Sequence, residues 1–236
     1  MGWAHDRVRG KRRGVNGVIG DLLPLAVAVA ISPLPIIAAI LMLFSARARS
    51  NGLGFLLGWT VGILVVAVVF TLLSGLIPES SGGSQPVVGV VKIVLGVLLL
   101  FVAFRQWRGR PRDGATAATP KWMSAIDSIT PVKAIGLGLL LSAANPKNLM
   151  MGISAGVTIG TAKLSVGGVV LAIAIFVVIS ILTIAIPVLA YLIAPNAVKP
   201  VLQRMRGWLV ENNAVVMAVL LVVIGVASIG KGIAAF

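Results

Sequence analysis

Two short stretches decide how this chain is built: Ile31-Ser32-Pro33-Leu34-Pro35 and Ala144-Asn145-Pro146-Lys147-Asn148. Each lies inside a long apolar run and sets a proline beside a polar side chain. Proline removes a backbone donor and clashes with the preceding turn, so it frees carbonyls. In lipid such groups persist only where protein, polar side chains or water satisfy them. The two stretches therefore predict interrupted membrane helices. Setting Pro33 on Pro146 is an offset of 113 residues, and it also sets Gly54 on Gly167, each at the start of the next apolar run.

The composition around the breaks supports a membrane protein. The chain has 236 residues, 58% of them hydrophobic and 11% charged, with a mean hydropathy of +1.08. Ordinary soluble domains carry roughly 25% charged residues, so a water-soluble enzyme is excluded. A helix needs about 20 apolar residues to cross a bilayer core. Six runs qualify: Leu22–Phe44, Gly54–Ile77, Pro86–Phe104, Lys133–Val157, Ser165–Ile193 and Ala214–Ala234. Pro187 predicts a tilt or kink near the end of the fifth. The runs lack in–out alternation, which favours helices over a barrel.

These runs predict an all-α membrane protein of six transmembrane helices, built as two inverted repeats of three, with broken helices in spans one and four. Three spans per half is an odd number, so the halves insert with opposite orientation, as in many secondary transporters. The predicted segments are a basic disordered tail (1–17), a first repeat (18–104), a basic cytoplasmic loop (105–132) and a second repeat (133–236). The tail carries Arg7, Arg9, Lys11, Arg12 and Arg13, and no small-residue cleavage site follows it. With both termini outside, the inner connections hold eleven Lys and Arg and the outer side seven. The loops thus favour this orientation by the positive-inside rule, and the tail opposes it.

Several chemistries drop out. Cysteine is absent, so there are no disulfides, thiolate metal sites or thiol redox steps. One histidine, His5, and six acidic residues are too few for a buried metal centre, and no buried histidine is expected to serve a serine nucleophile as base. No metal, cofactor or enzymatic activity is expected. The formal charge of +14 comes from residues flanking apolar runs, which reads as topology and contact with anionic lipid rather than nucleic acid.

The site residues expected to line a transport path are Ser32, Pro33, Pro35, Asn145, Pro146, Lys147 and Asn148 at the breaks, with Lys92 six residues into span three. A lysine at the bilayer centre costs about 2.5–3.5 kcal/mol on insertion scales and needs a partner or a wet cavity. No acidic residue sits in mid-span. Two lysines without a matching carboxylate favour an anion such as phosphate, sulfate or carboxylate. Alternatives stay open: a Lys92 that snorkels to the headgroups, and a Lys147 that closes carbonyls freed at a break. Asp21, at the start of span one, is a candidate ion-pair or coupling residue, or else a helix N-cap. The rows Gly54, Gly58, Gly62 and Gly152, Gly156, Gly160 predict close helix packing and permit a homodimer.

The chain resembles the GAP family, the glycopeptidolipid- or sulfolipid-addressing proteins of the LysE superfamily of six-span exporters. The resemblance rests on Gly20-Asp21-Leu22-Leu23-Pro24, Ile31 through Pro35 with Arg47 through Gly52, Trp122 through Thr130, and Leu141 through Leu149, and it covers roughly residues 18–236. It implies export of a cell-envelope glycolipid across the plasma membrane, beside a larger lipid transporter or synthase. Two other readings remain: an exporter of amino acids or similar small solutes, and an accessory scaffold that recruits partners through loop 105–132.

Overall fold

A computed structural model describes residues 14–74, 86–109 and 129–234. These residues form eight helices and no strands. They are α1 (Val15–Ala30), α2 (Pro33–Phe44), α3 (Ala48–Leu73), α4 (Pro86–Arg108), α5 (Pro131–Ala143), α6 (Pro146–Thr161), α7 (Val166–Ile193) and α8 (Pro195–Ile233).

Both proline stretches interrupt helices, and they do so at the same register. Helix α1 ends at Ala30 and α2 starts at Pro33; α5 ends at Ala143 and α6 starts at Pro146. Each break is two residues long, and each boundary is displaced by the 113 residues that relate Pro33 to Pro146. Proline starts both downstream helices because its missing N–H costs nothing at the first helical position. The chain bends by 53° at the first break.

Three helices among the described residues are long and apolar enough to cross a bilayer alone: α3, α7 and α8 through Gly230. A fourth is gained if α1 and α2 count as one span. The expected spans three and four, α4 and the α5–α6 pair, are not among them. Three boundaries also differ from expectation. Helix α1 starts at Val15, so Val15–Gly17 are helical; residues 1–13 lie outside the described residues. Helix α8 starts at Pro195, so Lys199, Arg204 and Arg206 sit on a helix of 39 residues rather than in a loop. Helix α4 carries Arg105 and Arg108 into its last turn, so the loop begins later than residue 105, and residues 110–128 lie outside the described set. Helix α7 runs on through Pro187.

The helices gather into two compact units, each drawing on both sequence halves. The first holds α1, α3 from Ser50, α5, α6 and α7 up to Ile186. The second holds α2, α4, the last turns of α7 and α8.

In the first unit the glycine rows explain the packing. A Cβ on Gly54 would stand 2.8 Å from the Pro131 carbonyl oxygen, and at Gly58 and Gly62 it would overlap the Ile135 carbonyl oxygen and the Ser142 hydroxyl. Further along α3, Val66, Phe70 and Ser74 meet Gly152, Gly156 and Gly160 of α6. Residue numbers rise together on both sides, so α3 runs parallel to α5 and α6. Small residues let these backbones touch. Phe55 and Trp59 stack in this interface, with ring centroids 6.5 Å apart, and both are fully buried.

In the second unit α4 packs along α8 and α2 also packs on α8. Gly89 and Gly96 of α4 meet Gly232 and Gly225 of α8. Here the numbers run in opposite senses, so the two helices are antiparallel. Helix α2 is buried nearly all round, from Pro33 to Leu43 with only Leu34 partly exposed, as expected of a helix with no polar face.

Candidate functional site: the end of α1 and the start of α6

A helix leaves its last carbonyls without intrahelical donors. At the end of α1 the chain turns out of the helix at Ile31 (φ −82°, ψ 66°) and Ser32 (φ −117°, ψ 102°). Pro33 and Pro35 then supply no N–H. The carbonyls there find other partners. The Lys147 ammonium donates to the Ala28 oxygen at 2.7 Å and to the Ile31 oxygen at 3.2 Å. The Thr183 hydroxyl, from α7, donates to the Ala30 oxygen at 2.7 Å. The first unit thus joins α1, α6 and α7 at one point.

Lys147 is 4% exposed. Its position follows from the second break. Asn145 is the N-cap of α6, and its side-chain oxygen accepts from the Lys147 backbone N–H at 3.1 Å, the usual role of asparagine at a helix start. Pro146 fills the first helical position. Lys147 therefore leaves the first turn of α6 and reaches across to α1. A cation at a helix C-terminus also faces the negative end of the macrodipole. An ammonium has three donors; two go to these carbonyls and one is left for a further acceptor. Among the described residues both of its partners are carbonyls rather than carboxylates, so these contacts leave the positive charge un-neutralised.

The other expected residues fall into place separately. Asn148 is buried; its amide nitrogen makes a long contact of 3.4 Å to the Leu141 oxygen, and its side-chain oxygen has no partner among the described residues. Ser180 of α7, one turn before Thr183, is fully buried, and its hydroxyl finds no partner among the described residues. In the second unit, Ser32 is the N-cap of α2 but makes no side-chain cap bond; it is 1% exposed and its hydroxyl has no partner among the described residues. Pro33 and Pro35 are buried in the first turn of α2. Lys92 belongs to α4, and its side chain lies outside the described residues.

Asp21 needs correction. It is the seventh residue of α1, exposed on that helix, and Gly14 is the N-cap. It neither starts the helix nor caps it. Sequence reasoning missed the acceptors, Ala28 and Ile31, because they act through backbone oxygens. Thr183 was visible only as one polar residue among several. No cluster of His, Cys, Asp or Glu among the described residues could hold a metal ion.

A family model described as Sap, sulfolipid-1-addressing protein, matches residues 22–234. The chain belongs to this sulfolipid-1-addressing family. The match takes in both breaks, Lys147 and Thr183, and it identifies a membrane protein involved in lipid addressing. No curated protein and no solved structure matches the chain.

Proposed function

We propose that this sulfolipid-addressing protein moves an anionic cell-envelope lipid across the plasma membrane by alternating access, without covalent chemistry. The observation that carries the reading is the Lys147 ammonium: buried, bonded among the described residues to carbonyls alone, and with a third donor beyond those two bonds, where the two helix breaks meet. An isolated charge in low dielectric is strongly unfavourable, so an anionic headgroup entering there gains from the charge and the spare donor. Asn148 and Ser180, in the same unit, offer further buried polar atoms for a sugar or sulfate. On this reading the family description extends to transport, and the LysE-type six-span architecture follows.

Packing directions support six spans in two inverted halves. Parallel packing of α3 with α5–α6 requires an odd number of crossings between them, and α4 is one. Antiparallel packing of α4 with α8 requires an even number, which α5–α6 and α7 supply. The shared 113-residue register of the breaks supports a repeat. The orientation with both termini outside and the 105–132 connection cytoplasmic rests on the basic residues, and a larger lipid transporter or synthase would deliver or receive the cargo.

The test is export by a strain lacking the gene, complemented with wild type or Lys147→Ala, with surface lipids compared by mass spectrometry. The reading expects one anionic glycolipid to vanish from the surface and to return only with wild type. Restoration by a normally inserted Lys147→Ala variant overturns the headgroup role. Loss that instead follows neutralisation of Arg110 and Arg112 favours a scaffold, and an unchanged surface with altered amino-acid efflux favours a small-solute exporter.

A further inference from the structure

We propose that the second unit carries a resident site for one anionic membrane lipid, in the furrow between α4 and α8, with the headgroup on Arg105 and Arg108. The proposal stands on this unit alone and uses neither Lys147 nor the translocation reading.

The furrow has a physical origin. Glycines bring α4 and α8 into backbone contact around Gly96 and Gly225. Beyond Leu100 no glycine faces the partner helix, and the helices are lined instead by a floor of small residues with tall rims. Ala103 and Ala218, 1% and 3% exposed, form the floor. Phe104 and Trp107 on α4 and Val222 on α8 form the rims, with Phe104 58% and Trp107 44% exposed. The cavity is about 360 Å³ and its walls are almost wholly apolar. A shape of this kind suits an acyl chain.

The charge at one end selects the lipid. Arg105 and Arg108 occupy the last turn of α4 and are exposed. The Arg108 guanidinium stands 5.6 Å from the centre of the Phe104 ring, so it is held over the furrow's own rim. Trp107 lies between them in sequence, and tryptophan prefers headgroup depth. The furrow thus runs from two cations at the interface into hydrocarbon. Arginine pairs with phosphate or sulfate through two parallel bonds. The antiparallel register, with Gly96 against Gly225, brings Glu211 of α8 towards the same end, where its carboxylate opposes an anion and leaves the two arginines a net charge of one. The competing explanation is that both arginines merely complement the negative end of α4.

Native mass spectrometry of the full chain, released from nanodiscs of equal phosphatidylglycerol and phosphatidylcholine with matched acyl chains, separates the two. A basic residue near an anionic surface is worth roughly fivefold in affinity, so two give a preference for phosphatidylglycerol of about 5- to 30-fold. Arg105→Gln with Arg108→Gln, both on exposed positions, should bring that ratio to about one. Val222→Trp, on an exposed rim, should fill the furrow and remove both lipids. A wild-type ratio below about fivefold, a ratio unchanged in the double variant, or full lipid retention by Val222→Trp overturns the site.

Discussion

Lys147→Met is the most informative single change, because methionine keeps an unbranched apolar stem only one heavy atom shorter and removes the charge and donors. The bond to Ala28 at 2.7 Å is a strong charge-assisted one; that to Ile31 at 3.2 Å is at the long end. Taking about 3 and 1.5 kcal/mol from the range for bonds to charged groups gives a gross gain of about 4.5 kcal/mol. The cost of placing a lysine in mid-membrane, about 3 kcal/mol, offsets most of it. The end of the α1 dipole returns about 0.5 kcal/mol. The lysine therefore stabilises the fold by about 2 kcal/mol on balance. For a chain of this size that is a fall in Tm of about 4–8 °C, readable in detergent from tryptophan fluorescence. A shift within about 1 °C would refute the idea that Lys147 holds the end of α1. Export measured per folded molecule gives the second answer: if Tm falls but export per molecule is unchanged, Lys147 closes a helix and does nothing for cargo.

Other perturbations follow from the same geometry. Thr183→Val removes the bond to the Ala30 oxygen and should cost about 1 kcal/mol; combined with Lys147→Met it should be non-additive by at least about 0.5 kcal/mol, since both act on one helix end. Strict additivity in a thermal double-mutant cycle would separate the two contacts. Gly58→Ala should cost about 1–3 kcal/mol, because the new methyl overlaps the Ile135 backbone, whereas Gly136→Ala, which meets nothing within 4 Å, should be neutral or stabilise by up to about 1 kcal/mol; equal Tm values for the pair would contradict the α3–α5 contact. Asn145→Ala should lower stability by about 1 kcal/mol through loss of the α6 cap, while Ser32→Ala, which removes a buried hydroxyl with no partner, should leave Tm unchanged or raised. A loss of stability in Ser32→Ala would mean that its hydroxyl is bonded in the folded protein.

The breaks were legible in the sequence because proline acts locally. Pro33 and Pro146 each lack an N–H wherever the chain goes, and the structure starts a helix at each. The destination of Lys147 was not legible. Its acceptors are the backbone oxygens of Ala28 and Ile31, which any residue type would present, so only tertiary placement reveals them. The start of α1 was legible in principle: Val18, Leu22, Ala26 and Val29 are buried at helical spacing, and Asp21 falls off that face. The neighbouring basic run hid this pattern. The start of α8 was hidden differently. Pro195, Pro200 and the charges from Lys199 to Glu211 resemble a loop, yet Pro195 fits the first helical position, the helix runs on through Pro200, and Lys, Arg, Gln and Glu are good helix formers. The glycine rows announced close contact but not the partner, and the same α3 serves both sides of the second break.

The two breaks match in position but not in how their polar groups are satisfied. At the second, Asn145 caps Lys147 two residues on, Asn148 reaches Leu141 seven back, and Ala144 donates to Leu140 at 2.7 Å. All these partners lie within α5, α6 and their joint, so the break travels with them as one piece. At the first, the Ala28, Ala30 and Ile31 oxygens depend on side chains 116 to 153 residues away, on α6 and α7. These bonds persist only while three separate helices keep their places. If α6 or α7 shifts by a few ångströms, the three carbonyls lose their donors together, at up to about 1–3 kcal/mol for each that stays out of reach of water. The end of α1 is therefore the cooperative point of the first unit. Whatever draws Lys147 away must replace its bonds or supply a comparable energy, and anionic acceptor oxygens do so more strongly than neutral ones, because hydrogen bonds to charged groups are the stronger kind.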